Sequence, residues 1–346
     1  MRLSDESPLP PVSVLLPFRN EASGLKATII AVLDALGSGD ELIVINDGSD
    51  DNSLEMAQSI SDSRLVVLSS NQNGKKAALR CGIDRAKHEV ILTVDADIRP
   101  QAHWPALMLQ PFSNSHIQMV CGSVHVPFEK VGSRAMWEAI DVLSLVGSGR
   151  ALTRQGWAVM CNGANLAFRK SAFMEVGGYS GNENRSSGDD VFLLQSVLER
   201  YPNGVIPIPE KALGGVETTA QQSWSALVRQ RIRWAGKSSG YKDPKAIFTT
   251  YFIGLANVLV PAGIISAILL PSILKWVVIY WAGKAIVDSL LVAVYNRGYD
   301  RDIPDSAIVL LSVIYPLYTS LIAILVPFVK VKWKGRYLDF PAESES

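Results

Sequence analysis

The chain has 346 residues, 48% of them hydrophobic, and its 33 Lys+Arg balance 33 Asp+Glu. That neutral balance gives no electrostatic footprint for nucleic acid. Three scattered cysteines (Cys81, Cys121, Cys161) form no CxxC pair, and four histidines (His88, His103, His116, His125) show no HxH or HxxxH spacing. The pattern argues against a zinc centre or a disulfide frame and suits a reducing compartment.

In chain order, residues 1–11 are polar and proline-rich, without the apolar stretch of a secretory signal. Continuous apolar runs follow at 12–16, 42–45, 65–68 and 90–94, as expected of strands covered on both faces. Between them, residues 22–36, 53–60 and 75–86 read as helices. This alternation predicts an α/β domain with a mostly parallel, Rossmann-like sheet, where ligands bind beyond the carboxyl ends of the strands. Those ends carry Arg19 and Glu21, Asp47, and the pair Asp95 and Asp97. Residues 118–211 add one strand over 119–125, further helices and glycine-rich loops. From 223 to 237, Trp224, Leu227, Val228, Ile232 and Ala235 recur at helical spacing, with Arg229 and Arg233 on the other side. Such a basic amphipathic helix suits a membrane surface.

No charged residue occurs from 246 to 274 or from 306 to 329. Each run is long enough to cross a bilayer, which takes ~20 apolar residues. A third segment, 273–295, holds Lys284 and Asp288 four apart, placed to pair on one helix face. The pair reads either as a structural ion pair or as part of an acceptor path. Gly254, Pro261 and Gly263 allow the first run to be partly re-entrant, which would leave two crossings. Three crossings would put Lys330, Lys332, Lys334 and Arg336 on the side opposite the α/β domain, against the positive-inside tendency. The expected layout is an α/β domain over 1–222, an interface helix and linker over 223–245, a membrane region of two or three spans over 246–329, and a basic, then acidic, tail over 330–346.

Several polar clusters sit where this fold would place a ligand. Asp95-Ala96-Asp97 follows an apolar strand, and if the strand continues, the two carboxylates face one ligand or metal. Hard cations such as Mg²⁺ or Mn²⁺ take such oxygen ligands. Asn46-Asp47-Gly48-Ser49 is either a plain turn or a turn in which Asp47 holds a base or ribose. Asn73-Gly74-Lys75-Lys76 opens a helix whose free N–H groups, with the lysines, suit a diphosphate; simple solubility is the alternative. Asp189-Asp190 caps a helix, supplies a general base, or divides the two tasks. In 230–234, Gln230, Arg233 and Trp234 share one helix side.

Taken in this order, these pieces resemble glycosyltransferase family 2, inverting enzymes of the GT-A fold. The matching segments are Pro17-Phe18-Arg19-Asn20-Glu21 after its strand, Asn46 to Asp51, Asn73 to Leu79, Asp95-Ala96-Asp97, Gly163-Ala164-Asn165 before Phe168-Arg169, Gly188-Asp189-Asp190, and the QxxRW segment Gln230 to Trp234. The QxxRW ending and trailing apolar segments are similar to membrane polysaccharide synthases and ceramide glucosyltransferases. The resemblance implies that Pro17, Arg19, Glu21, Asp47, Lys75 and Asp95 hold a nucleotide-sugar and Asp97 the metal. It makes Asp190 the base, and Asp189, Gln230, Arg233 and Trp234 the acceptor and diphosphate residues. The acid pair is Asp-Asp where the family commonly has Glu-Asp, and no apolar segment precedes the α/β domain.

The expected activity is metal-dependent transfer of a sugar, UDP being the family's usual nucleotide, to a lipid or glycan hydroxyl. The expected setting is the plasma membrane, multi-pass, with the catalytic domain in the cytoplasm. A processive polysaccharide synthase is the alternative, and a non-catalytic nucleotide-binding membrane scaffold or transporter is the third.

Overall fold

The computed structural model describes residues 9–101, 103–180, 188–207, 215–299 and 301–329, with the backbone of 332–333 and 336–337. Most of the expected tail, 330–346, lies outside the described residues. The chain divides into two compact units.

The first unit comprises Met1–Val124, Met160–Glu183 and Asp189–Thr218. It opens with β1 (Val12–Phe18), α1 (Leu25–Ala35), β2 (Glu41–Asn46), α2 (Ser53–Gln58), β3 (Leu65–Ser69), α3 (Lys75–Arg85) and β4 (Val90–Thr93). After β4 come β5 (Ile98–Pro100), α4 (Trp104–Leu109) and β6 (Met119–Cys121), and the unit's first stretch ends in the short strand β7 (Val124–His125). The chain returns with β8 (Leu166–Arg169), α6 (Lys170–Glu175), α7 (Asp189–Arg200), β9 (Val205–Pro207) and β10 (Val216–Thr218). The seven-stranded sheet runs β3-β2-β1-β4-β8-β6-β9. Its first four strands are parallel, and β8 is antiparallel to both neighbours.

The apolar runs become strands because both faces are covered: every residue of β1 and β2 is buried. Val14, Leu16, Val44 and Ile29 fill one core cluster. On α3, a Cβ added to Gly82 would lie 3.0 Å from Ile45 and 3.1 Å from Leu15, so glycine allows the helix to sit close on the sheet. Each fully buried aliphatic side chain contributes roughly 1.5–3 kcal/mol. Pro17 is tolerated in a central strand for a local reason. The carbonyl of Leu15 accepts from Val94 on the β4 side, so Pro17 turns its missing N–H the same way, beyond the last β4 pairing at Thr93.

Two expectations about this unit need correction. The strand over 119–125 breaks at Gly122 and Ser123 into β6 and β7, which belong to different sheets. A Cβ on Gly122 would lie 2.2 Å from the Asn165 amide, so that side chain occupies the space at the break. The strand before Asp95 ends at Thr93, and Asp95-Ala96-Asp97 is a turn leading into β5, which pairs antiparallel with β10. Alternation along a strand therefore does not aim these carboxylates.

The second unit comprises His125–Val159, Asn184–Gly188 and Thr219–Ser346. Its helices are α5 (Arg134–Arg154), α8 (Trp224–Gly236), α9 (Pro244–Leu269), α10 (Leu274–Gly298) and α11 (Asp305–Leu325). Residues 125–159 thus leave the expected 1–222 domain, because α5 packs on α10. Ile140, Leu143, Val292 and Tyr295 share a core, and a Cβ on Gly147 would come within 2.4 Å of the Tyr295 ring. The apolar side of α8 also has a protein partner, Ile232 packing with Ile322 of α11.

Three helices, Pro244–Leu269, Pro271–Gly298 and Asp305–Leu325, are long and apolar enough to cross a membrane. The first is one continuous helix through Pro261, where a partly re-entrant segment was an open reading. Gly263 admits Val277 of α10 at a distance that a Cβ would reduce to 2.9 Å. Tyr251, Phe252, Ile265, Trp276, Ile286, Val287 and Leu310 are exposed, an apolar surface that calls for lipid or protein rather than water. Lys284 and Asp288 form an ion pair on α10.

Candidate active site

The site is built at the carboxyl ends of the parallel strands, where three loops are laced together. After β1, Asn20 takes φ 52°. Asparagine tolerates this left-handed conformation better than most residues. Its Oδ1 accepts from the Asp50 N–H at 2.8 Å, and its own N–H donates to Ser49 Oγ at 3.1 Å. Arg19 donates from Nη1 to the Asp47 carbonyl at 2.8 Å and from Nη2 to Asp50 at 3.3 Å. The Glu21 N–H donates to Ser53 Oγ at 2.9 Å. The loops after β1 and β2 are therefore held as one body.

Asp47 extends this frame to the third loop. Its buried carboxylate accepts from the Gly74 N–H at 2.6 Å. Gly74 has φ 110°, a conformation that a side chain would strain, and α3 starts at the next residue. Asp47 thus fixes the point from which Lys75 departs.

Lys75 is the hub. Its Nζ lies 2.6 Å from Asp95 Oδ1 and 3.7 Å from Asp189 Oδ2. Burial alone would lower its pKa, but the carboxylates of Asp189, Asp95 and Asp190 outweigh that and hold it raised and charged. Gly163 belongs to the same cluster, since a Cβ there would meet Asp189 and Asp190 at 3.4 Å and Lys75 Nζ at 3.5 Å. Thr93 at the end of β4 holds that loop by donating to the Gly163 carbonyl at 2.9 Å.

Asp189 and Asp190 begin α7, immediately after Gly188 at φ 96°. Both are buried, and acids in this first turn are favoured by the helix dipole. Asp190 accepts from the Val191 N–H at 2.8 Å through Oδ1 and from the Gly163 N–H at 3.2 Å through Oδ2. Two backbone donors set the plane of its carboxylate. Asp97 accepts from Thr218 Oγ1 at 3.2 Å. Solvent reaches its side chain, yet surrounding protein and then the Asp95 charge push the carboxyl up to about 6.

Asp47, Lys75, Asp95, Asp189 and Asp190 are thus joined by a continuous run of contacts, and Asp97 adjoins through the field of Asp95. Sequence reasoning missed Gly163 as a wall of this cluster, and also Tyr179. The phenol of Tyr179 is buried and feels Asp189 and Asp190, which with burial raises its pKa well above the usual value and keeps it neutral. Its signal was the Gly177-Gly178 pair before it, with φ 78° and 61°. Asn165, from the same motif as Gly163, has a structural task. Its side chain accepts from Trp104 Nε1 and donates to the Ser123 carbonyl, each at 2.9 Å.

The second unit carries the remaining expected residues on α8. Gln230, Arg233 and Trp234 are half-buried. Arg231 between them is buried and pairs with Asp141 of α5 at 2.6 Å. Neither residue of that pair figured among the sequence candidates.

The comparisons with known proteins fit this arrangement. Residues 13–177 match the sequence profile of glycosyl transferase family 2. A poly-beta-1,6-N-acetyl-D-glucosamine synthase of Staphylococcus epidermidis is 28% identical over 234 residues, covering 65% of this chain and 53% of that protein. Its namesake in Staphylococcus aureus is 27% identical over 229 residues with the same coverage. The chain spans about half the length of the curated relatives it matches. Among solved structures, a mannosyltransferase of Pyrobaculum calidifontis, in complex with GDP-Man and Mn²⁺, superposes with a TM-score of 0.59 at 17% identity. That match covers 94% of this chain and 89% of the other and shows the same α/β fold, GT-A. The laced strand ends from Asp47 to Gly163 therefore lie within the residues, 13–177, that match glycosyl transferase family 2.

Proposed function

We propose that the protein is a membrane-bound inverting glycosyltransferase that moves a sugar from a nucleotide-sugar, a UDP-sugar foremost, to a hydroxyl of a lipid or glycan acceptor. The observation that carries this reading is the gathering of Lys75, Asp95, Asp189 and Asp190 at the strand ends, with Asp97 beside them. A buried carboxylate whose plane is set by two backbone donors suits a positioned base.

The donor set fits a divalent cation, Mg²⁺ or Mn²⁺. Asp95 and Asp97 are neighbouring oxygen donors whose mutual repulsion contributes to raising Asp97 to about 6, and a cation would relieve it. Among the described residues no group of three metal-ligating side chains occurs. Two carboxylates suffice for a hard cation that takes its other ligands from water and phosphate. Such a metal supplies charge stabilisation to the departing diphosphate.

The chain's own residues perform the rest. Arg19, Glu21, Pro17 and Asp47 shape the nucleotide side of the site, with Asp95 beside them. Lys75 keeps its charge through the cycle and offers it to the diphosphate. Asp190 takes the proton of the acceptor hydroxyl as its oxygen bonds to the anomeric carbon, while the bond from that carbon to the diphosphate oxygen breaks. Attack opposite the leaving group inverts the configuration. Asp189 and, from α8, Gln230, Arg233 and Trp234 serve the acceptor and diphosphate. The three apolar helices support a membrane protein, and we assign it to the plasma membrane as a multi-pass protein with this domain in the cytoplasm.

The test is nucleotide release from UDP-sugars with Mg²⁺ or Mn²⁺. Asp190→Asn is expected to keep nucleotide-sugar binding and lose transfer by ~10²–10⁴-fold, the range of a positioned base. Turnover near the wild-type rate in that variant rejects the assignment. The names of the staphylococcal relatives favour one second reading, a processive synthase, and product length by mass spectrometry separates it from single transfer. A scaffold or transporter would release no nucleotide at all.

A further inference from the structure

We infer that Arg231, clamped by Asp141, is a positioning residue that sets the Gln230 amide and the Trp234 ring. This rests on the reading above that those two side chains meet the acceptor.

The guanidinium is engaged on three sides. Nε donates to Asp141 Oδ2 at 2.6 Å, and Nη1 donates to Gln230 Oε1. The guanidinium carbon lies 4.2 Å from the centroid of the Trp234 ring. The clamp is itself held, because Tyr315 of α11 donates its hydroxyl to Asp141 Oδ1 at 3.1 Å. Arg231 is 6% exposed and Asp141 is 1% exposed. Water therefore competes little with these bonds, and the pair has one geometry.

This geometry has a chemical consequence for Gln230. A carbonyl oxygen accepts from a guanidinium, whereas an amide NH₂ in its place would set donor against donor. Arg231 thereby turns Oε1 inward and leaves the NH₂ as the group that Gln230 presents elsewhere. Gln230 becomes a donor, suited to a sugar or phosphate oxygen. For Trp234, a planar cation against the ring fixes its tilt. Asp141 alone would neutralise Arg231, so the contacts to Gln230 and Trp234 are more than charge balance. They transmit the position of α5 and α11 to two side chains of α8.

Lysine separates positioning from simple charge pairing. An ammonium at 231 would keep the ion pair with Asp141 but could not also fork to Gln230 and place a guanidinium 4.2 Å from the centroid of the Trp234 ring. The experiment uses full-length protein in detergent, labelled with 5-fluorotryptophan, with the ¹⁹F line of Trp234 assigned by Trp234→Phe. In Arg231→Lys that line is expected to shift while the Trp104 line stays. In the same variant the acceptor KM is expected to rise about tenfold, with nucleotide-sugar KM and thermal midpoint unchanged. Should Arg231→Lys destabilise the fold, Asp141→Asn with Arg231→Met removes both buried charges together, and the same shift and KM rise are expected. An unmoved Trp234 line overturns the inference. So does a loss that affects both substrates equally and follows the thermal midpoint. If wild-type protein transfers no sugar from any nucleotide donor, the functional reading fails instead, and the Trp234 line still decides the role of Arg231.

Discussion

Replacing Lys75 by methionine tests whether the cluster at the strand ends is held together by one cation. The ammonium lies 2.6 Å from Asp95 and 3.7 Å from Asp189, and its own side chain is 22% exposed. At an effective dielectric near 20, unit charges at these separations attract by roughly 4–6 kcal/mol before desolvation is counted. The cost of burying the ammonium cancels much of that, and Asp95, 39% exposed, is partly screened by water. A net loss of about 2 kcal/mol remains, below the ~3–5 kcal/mol that breaking a fully buried pair costs, because water reaches both Lys75 and Asp95. For a unit of this size that is roughly 4–8 °C in thermal midpoint. The pH dependence has a definite sign. The folded-state pKa of Lys75 lies above its ordinary 10.5, so its stabilisation is complete below that value and fades only as pH rises beyond it. The gap between wild type and Lys75→Met should therefore be constant from neutrality to about pH 10 and close above it. Differential scanning fluorimetry in detergent measures it, with and without Mn²⁺. Since Mn²⁺ can screen the stranded carboxylates, it should raise the midpoint of Lys75→Met more than that of wild type. Equal midpoints, or an equal response to Mn²⁺, would refute the argument.

Other perturbations follow from single residues. Burial and the Asp95 charge push the Asp97 carboxyl up to about 6, and a metal needs it ionised. Affinity for metal and nucleotide-sugar should hold above pH 7 and fall about tenfold per unit below 6, and Asp97→Asn should bind weakly with no inflection there; isothermal titration across pH reads both. Asn165→Ala strands Trp104 Nε1 in the core, while the Ser123 carbonyl keeps its bond from the Val216 N–H, a loss of roughly 1–3 kcal/mol seen as a lowered thermal midpoint with nucleotide-sugar KM unchanged in the folded fraction. Lys284→Met leaves Asp288 alone on an apolar helix and should lower the midpoint. Lys284→Met with Asp288→Leu should restore it, and transfer retained by this double variant would assign the pair to structure rather than to an acceptor path.

The parallel half of the sheet was legible because its signal is local. Residues 14–16 and 42–45 are apolar without interruption, as expected of strands covered on both faces, and β1 and β2 are buried throughout. Where the reading failed, the deciding contact lay far along the chain. Nothing in 119–125 announces that Asn165 will fill the space beside Gly122 and divide the strand. Likewise α5 has ordinary helical composition, and its place in the second unit depends on Tyr295, which meets Gly147 across a separation of more than a hundred residues.

The site shows the same division more sharply. Asp95 and Asp97 were singled out on an argument from strand alternation, yet the strand ends at Thr93 and they sit in a turn. Being at a strand end was what mattered, because there the sheet opens whatever the side-chain phase. Arg231 was passed over as one of several arginines on a basic helix, although a clue was present. Counting four residues from Leu227, a core position, leads to Arg231 and not to an apolar residue. A charge on the buried stripe of a helix demands an opposite charge opposite it, and α5 supplies one in Asp141, set between Ile140 and Val142. A single arginine and a single aspartate, each out of place in its own helix, are best explained by each other.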